Sequence, residues 1–324
     1  MMRLKLGRPD LADYSAYFDL PAAAQTKRAV DSSLGDSSLG VTFMGVSTLL
    51  IDDGQSALLT DGFFTRPSLG KVLLGRIAPD EQLIDACLAR CGAGQLQVEA
   101  VLPVHSHYDH GLDSAVVAQK LGSALVGGSS AAQLGLGVGL SDTQIVVANE
   151  GVSQEFGPWK ITLIEADHCP PDRYPGEITS PVRPPVRTSA YRCGEAWSIL
   201  LQHTQGETAL IQGSAGFVPN ALSGRSAQVA YLGVGQLGLM ETDYIESYWE
   251  ETVVRVSAER VILIHWDDFF KPLPMRGEGS LRALPYAGDD LDVTMSVFAR
   301  LAQRDGVRLS FPKLWERHNP WQGG

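Results

Sequence analysis

Four imidazole and carboxylate side chains crowd into six residues, His105-Ser106-His107-Tyr108-Asp109-His110, directly after the apolar run Val98-Glu99-Ala100-Val101-Leu102-Pro103-Val104. A buried strand that ends this way must belong to a sheet whose rim is open, because four such groups cannot be left unpaired in a core. If the loop starts extended, His105, His107 and Asp109 share a face while His110 turns toward a neighbouring position, so one loop could serve two adjacent cations. Imidazole and carboxylate suit hard-to-borderline cations such as zinc, and the Cys-rich sets usual for structural zinc are absent. A competing reading makes the loop a polar cap on a helix starting near Leu112, with Asp109 as the N-cap residue. Four such residues are more than a cap needs.

Two of the remaining histidines also end apolar runs. His168 closes Ile161-Thr162-Leu163-Ile164-Glu165-Ala166-Asp167, and His265 closes Val261-Ile262-Leu263-Ile264. Rigid strand ends are where layered α/β folds build sites, so both are candidate ligands beside the cluster. His203, in a turn-like Gln202-His203-Thr204-Gln205-Gly206, and His318, in the polar tail, lack that context and read as surface residues.

With these residues in place, the chain resembles the metallo-β-lactamase-fold hydrolase superfamily over about residues 40 to 270. His105-x-His107-x-Asp109-His110 matches the central motif, and His168 and His265 match the later histidines. The resemblance implies an αββα four-layer α/β sandwich. Asp61, in Leu58-Leu59-Thr60-Asp61-Gly62-Phe63, matches an early aspartate that orients the metal loop without binding metal, an outer role that ligating imidazoles need. Thr42 to Ile51 and Val261 to Phe269 are similar to the opening and closing segments of the lactonase and phospholipase-D-like branch. One departure stands out: Ile211-Gln212-Gly213-Ser214-Ala215-Gly216-Phe217 carries Ser214 where many relatives have a metal-bridging aspartate. A hydroxyl is a poor ligand for a divalent cation. The implied centre is therefore two zincs without a carboxylate bridge, His105, His107 and His168 on the first and Asp109, His110 and His265 on the second. Single-metal, iron-loaded and inactive variants of it stay open.

A zinc site with an open position would generate hydroxide near neutral pH to attack an ester, lactone or related acyl or phosphoryl centre. Asp109 would orient that nucleophile or carry a proton, and Ser214 would donate a hydrogen bond to a bound oxygen. The alternatives are an iron-dependent redox enzyme of the sulfur dioxygenase type and a non-catalytic metal-binding relative.

Ligand-type residues spread from Asp61 to His265 argue for one continuous domain over residues 1–324, with irregular arms at 1–38 and 312–324. A net charge of -11 and a pI near 5.1 disfavour nucleic acid, whose backbone demands a basic surface. A small-molecule substrate is expected instead. No apolar run approaches the ~20 residues that span a bilayer, and four cysteines are too few for a disulfide scaffold, so a cytoplasmic location is expected. A clasp between Cys169 and Cys193 is one option, while Cys87 and Cys91 share a helical face.

Turn signals at Asp52-Asp53-Gly54 and Gln205-Gly206 place strand pairs at 41–64 and 197–213. Ala57-Leu58-Leu59-Thr60-Asp61-Gly62 echoes Ala209-Leu210-Ile211-Gln212-Gly213-Ser214, hinting at two related halves. Helical spacing predicts helices over 80–90, 111–121, 241–258 and 291–304. The stretch from Cys169 to Arg192, with six prolines and four arginines, reads as a stiff loop roofing the site. Its Arg173 and Arg187, with Lys271 and Arg276 after His265, would favour an anionic substrate. Gly233-Val234-Gly235-Gln236-Leu237-Gly238 offers a rival dinucleotide-binding turn, with Asp267 as the ribose-binding acid, against a reading in which the glycines serve close packing.

Overall fold

The computed structural model describes residues 5–23, 39–275 and 280–322. Six strands come first, β1 (Gly40–Phe43), β2 (Leu49–Asp52), β3 (Ser56–Thr60), β4 (Gln97–Leu102), β5 (Ala124–Gly127) and β6 (Ile145–Val147). Eight follow, β7 (Ser153–Phe156), β8 (Trp159–Ala166), β9 (Ala196–His203), β10 (Thr208–Gln212), β11 (Val229–Gly233), β12 (Arg260–Ile264), β13 (Arg308–Ser310) and β14 (Arg317–His318). They form two seven-stranded sheets, ordered β14-β1-β2-β3-β4-β5-β6 and β13-β12-β11-β10-β9-β8-β7.

The two sheets follow one plan. In the first, β14, β1, β2 and β3 pair antiparallel, and β3 through β6 pair parallel. In the second, β7 through β10 pair antiparallel, and β10 through β13 pair parallel. The sequence echo lies on equivalent elements, since β3 and β10 are the strands at which each sheet changes from antiparallel to parallel. Both hairpins form where the turn residues placed them: Asp53 Oδ1 accepts from the N–H groups of Gln55 and Ser56, at 2.8 and 2.7 Å, and closes the β2–β3 turn.

Helices cover the outer faces. The short α1 (Leu69–Leu74) is followed by α2 (Glu81–Cys91), which packs on α3 (Tyr108–Leu121); α3 and α4 (Ser129–Val138) lie on the first sheet, and α6 (Leu291–Asp305), with α5 (Thr242–Trp249) against it, lies on the second. The α2 helix is bounded as its sequence dictates: Asp80 accepts from Leu83 N–H at its start, and Gly92 takes the left-handed conformation at its end. Cys87 is buried on its inner face and Cys91 is half-buried. The α5 segment runs on as a π-turn through Val254. The α4 helix escapes the sequence reading because Ser129-Ser130-Ala131-Ala132-Gln133-Leu134-Gly135-Leu136-Gly137-Val138 holds two glycines, poor helix formers. Tertiary packing overrides that propensity, for Gly137 has the Val182 backbone where a Cβ would stand.

The sheets meet over a continuous core of aliphatic and aromatic side chains. The sandwich corrects the reading of two histidines as surface residues. His203 is 4% exposed, packs tilted against Trp159 with ring centroids 4.5 Å apart, and lies 3.3 Å from Asp53 Oδ2. His318 is 2% exposed, with Nε2 2.9 Å from the Tyr231 hydroxyl of the other sheet. The arms are also more regular than their composition suggests: Leu11–Tyr17 is a 3₁₀ helix, Ala22 bridges His318, and Phe18 stacks on Phe311. No described helix is long and apolar enough to cross a membrane.

Candidate metal centre

Strand direction brings the candidate residues to one rim. Asp61 follows β3, the His105–His110 stretch follows β4, His168 follows β8, Ser214 follows β10 and His265 follows β12. Parallel pairing of β3 with β4, and of β10 through β12, puts these strand ends on one side, and β8 runs in the sense of β10 because β9 opposes both. His265 itself takes a left-handed φ of +57°, a costly conformation for a side chain of this size. Its N–H donates to Val46 carbonyl oxygen at 2.7 Å, and Val46 N–H donates to Asp267 Oδ1 at 2.8 Å. Asp267 in turn forms a fully buried ion pair with Arg66 at 2.7 Å. Asp267 therefore braces the His265 turn and is not free to hold a ribose.

The metal loop is not extended throughout. The α3 helix starts at Tyr108 with His107 as its N-cap, so Asp109 and His110 lie in the first helical turn. That corrects two expectations: Asp109 is not the N-cap, and it does not share a face with His105 and His107. Two clusters result, His105 with His107 and His168, and Asp109 with His110 and His265, the ligand atoms of each lying within 4.8 Å of one another. His105 Nε2 is 3.1 Å from His107 Nδ1, and Asp109 Oδ2 is 3.4 Å from His265 Nε2 and 3.7 Å from His110 Nε2. Donors on a tetrahedral zinc at about 2.0–2.1 Å stand about 3.3 Å apart, so this spacing fits a cation in each cluster.

The outward nitrogens mostly have partners. Asp61, fully buried, receives His110 Nδ1 at 2.8 Å and the Ser47 hydroxyl at 2.5 Å on Oδ2, and Val104 N–H at 2.9 Å on Oδ1. It thus holds both the start of the metal loop and the orientation of His110, leaving His110 Nε2 toward Asp109. His168 Nδ1 lies 2.7 Å from Cys169 carbonyl oxygen, which leaves Nε2 for the cluster. Ser214 Oγ accepts from Cys169 N–H at 2.9 Å, fixing the backbone just beyond His168. Buried His110 Nε2 makes no hydrogen bond, which is what a nitrogen reserved for a cation would show.

Burial and neighbouring imidazoles tune the charges. Desolvation, reinforced by the other histidines, holds His105 well below the usual imidazole range, and burial lowers His107 as well. Burial together with His107 brings His168 down to about 4. Burial alone would raise Asp109, but His110 and His265 outweigh it and keep the carboxyl ionised. Burial opposes protonation of His110, and the Asp61 and Asp109 carboxylates overcome it. The first cluster is therefore neutral imidazole, the state that ligation requires, and the second carries an ionised carboxylate beside a His110 whose proton a cation would have to displace.

The loop from Cys169 to Arg192 does reach the centre, by other residues than its arginines. Asp172 Oδ1 lies 3.2 Å and Tyr174 carbonyl oxygen 3.3 Å from His107 Nε2. Arg173 and Arg187 are exposed; Arg173 is near enough to Tyr108 for its charge to act on the phenol, while Arg187 sits beside the Ile77–Val186 bridge. Lys271 is exposed, and Arg276 lies outside the described residues. Asp172 and Ser47 were missed by the sequence reading, although Ser47 lies within the Thr42 to Ile51 segment and Asp172 stands four residues past a ligand, because neither residue type by itself marks an outer partner of a ligand. Cys169 and Cys193 do not clasp, all four thiols being free. The glycine-rich turn after β11 packs against the centre: a Cβ on Gly235 would stand 2.8 Å from His265 Nδ1, and one on Gly238 1.9 Å from Asp290 carbonyl oxygen. The Val234 and Gly238 N–H groups of this turn are already taken by Ile264 carbonyl oxygen and Asp289 Oδ1.

Neither a family model nor a curated relative matches the sequence. Solved structures do match the fold. Igni18, a metallo hydrolase from Ignicoccus hospitalis KIN4/I, is 15% identical with a TM-score of 0.52, over 86% of this chain and 97% of that one. A possible metal-dependent hydrolase from Veillonella parvula DSM 2008 is 16% identical with a TM-score of 0.53, over 86% and 98%. A mutant of CmlA, a diiron β-hydroxylase from Streptomyces venezuelae, is 11% identical with a TM-score of 0.50, over 88% of this chain and 54% of that one. The two mixed sheets flanked by helices are the metallo-β-lactamase fold, the α/β four-layer sandwich expected from the sequence.

Proposed function

We propose that this chain, built on the metallo-β-lactamase fold, is a metal-dependent hydrolase with two zinc ions, His105, His107 and His168 holding one and Asp109, His110 and His265 the other. The observation that carries the reading is the division of six ligand-type side chains, gathered from three strand ends, into two three-membered clusters whose spacing suits one cation each. Three protein ligands leave a position open for substrate or water, the mark of a catalytic rather than a structural site. When bound, such cations lower the pKa of a water to about 7 and polarise a carbonyl or phosphoryl oxygen.

The protein's own part is to hold its groups still. Asp61 keeps a proton on His110 Nδ1, and Cys169 carbonyl oxygen keeps one on His168 Nδ1, so that the opposite nitrogens stay free. Ser214 accepts from Cys169 N–H, which leaves its hydroxyl hydrogen for an oxygen of the substrate. Asp109, ionised between two imidazoles, orients a nucleophile or takes its proton. Arg173 on the roof would meet an anionic substituent, with Arg187 and Lys271 as weaker candidates. The substrate class is a small molecule with an ester, lactone or related acyl or phosphoryl bond, and the four free thiols favour a cytoplasmic setting.

A second reading rests on the donor set, which holds five imidazoles, one carboxylate and no thiolate, and therefore suits iron as well as zinc. Metal analysis of protein purified without added metal separates the two, repeated on His105→Ala and His265→Ala. Near two zincs per chain, with one lost in each variant and hydrolysis of a panel of esters and lactones lost in both, supports the hydrolase. Iron moves the reading to redox chemistry, and no uptake even after zinc addition overturns it.

A further inference from the structure

We propose that Asp172, carried by the proline-rich loop, is a positioning residue that fixes His107 and so sets the affinity and geometry of the first cluster. This rests on the reading of His105, His107 and His168 as ligands. His107 presents Nδ1 to His105 Nε2 at 3.1 Å, which makes Nδ1 its inward atom. An imidazole that binds through Nδ1 carries its proton on Nε2, and that proton needs an acceptor because His107 is buried. Tyr174 carbonyl oxygen accepts that proton at 3.3 Å, and the Asp172 carboxylate stands beside the same nitrogen, Oδ1 at 3.2 Å, as its charged neighbour.

The carboxylate is itself held. Asp172 Oδ1 accepts from Tyr174 N–H at 2.8 Å, and Tyr174 carbonyl oxygen accepts from Cys193 N–H at 2.9 Å. Cys193 carbonyl oxygen then accepts from Ser106 N–H at 2.8 Å, between the two histidines of the metal loop. The loop is thereby tied to the cluster at its entry and its exit, and Asp172 is the only carboxylate among the described residues within 4 Å of His107 Nε2. Outer carboxylates of this kind stiffen the ring and raise its basicity, with effects on metal affinity of about 10–100-fold. A rival use of the same atoms exists, since His107, Asp172 and Cys193 could together hold a cation of their own.

Cobalt(II), which reports coordination by its visible spectrum, distinguishes these uses in the full chain. Asp172→Asn, Asp172→Glu and Cys193→Ser are compared with the unaltered protein by competition against a chelating dye, and each metal-free protein is melted. The expected result is about 10–100-fold weaker cobalt binding and a changed spectrum in Asp172→Asn, with recovery in Asp172→Glu and metal-free melting unchanged. Equal affinity and an unaltered spectrum in Asp172→Asn overturn the proposal. So does loss of one cobalt and of sulfur-to-cobalt absorption in Cys193→Ser, which would make Asp172 a ligand. Failure of the unaltered protein to take up cobalt overturns the hydrolase reading itself, a different outcome from either.

Discussion

At the residue scale, the chain treats its histidines in two ways. Five sit at the rim, each with a nitrogen facing a cluster, and two, His203 and His318, are satisfied inside the sandwich. Burial pushes His318 down to about 4, below the ordinary imidazole value of 6.5. The unfolded chain therefore binds the proton first, so His318 contributes its stability fully above about pH 6.5 and loses it as the pH falls toward 4. At about pH 5 the loss is about 2 kcal/mol. Asp289, which burial raises to about 7, has the opposite sign and weakens the fold as the pH rises from the usual carboxyl range to about 7. Comparing Tm for the native chain and His318→Gln at about pH 7.5 and pH 5 isolates the histidine. The native chain should lose more than the variant, and parallel losses would remove His318 from the account.

Elements rather than residues explain what could be read in advance. The β2–β3 and β9–β10 hairpins, α2 and α6 were legible because turn residues and apolar periodicity act locally. The six candidate ligands were legible because His105 to His110 is dense and His168 and His265 end apolar strands. Their partition into clusters was legible through the family resemblance, whereas the local spacing by itself put Asp109 on the face of His105 and His107, because that spacing does not reveal that α3 starts at Tyr108. Asp172 and the Arg66–Asp267 pair were hidden for a like reason: their partners lie far off in sequence. The turn after β11 shows how tightly elements meet at the rim. Gly235→Ala would press a methyl group onto His265 Nδ1, so the variant should keep its fold and lose the cation of the second cluster. Circular dichroism and metal content measured together check this; undiminished metal content would mean the turn has room to move.

On the scale of the whole molecule, the centre joins what the two sheets hold apart. The first sheet's β4 brings four of the ligand-type residues, and the second sheet's β8 and β12 bring His168 and His265. A cation in either cluster is therefore a link between halves, and its binding free energy adds to the stability of their packing. Removing metal with a chelator should lower Tm by several degrees, and restoring zinc should return it. A Tm indifferent to both treatments would show that the halves hold together without that link.

The matched pairing of the two sheets carries one more consequence. β14 stands beside β1 as β7 stands beside β8, although β14 is last in the chain and β7 comes midway. Followed in space, each half is seven strands in succession, and only the point at which the chain is opened hides the repeat. His318 already bridges Ala22, so the two arms run side by side. A circular permutant opened in the exposed turn between β6 and β7, with the arms joined, would spell the molecule as two consecutive repeats. In that order the first repeat would hold His168 and His265, the second the metal loop, and neither would hold a complete cluster.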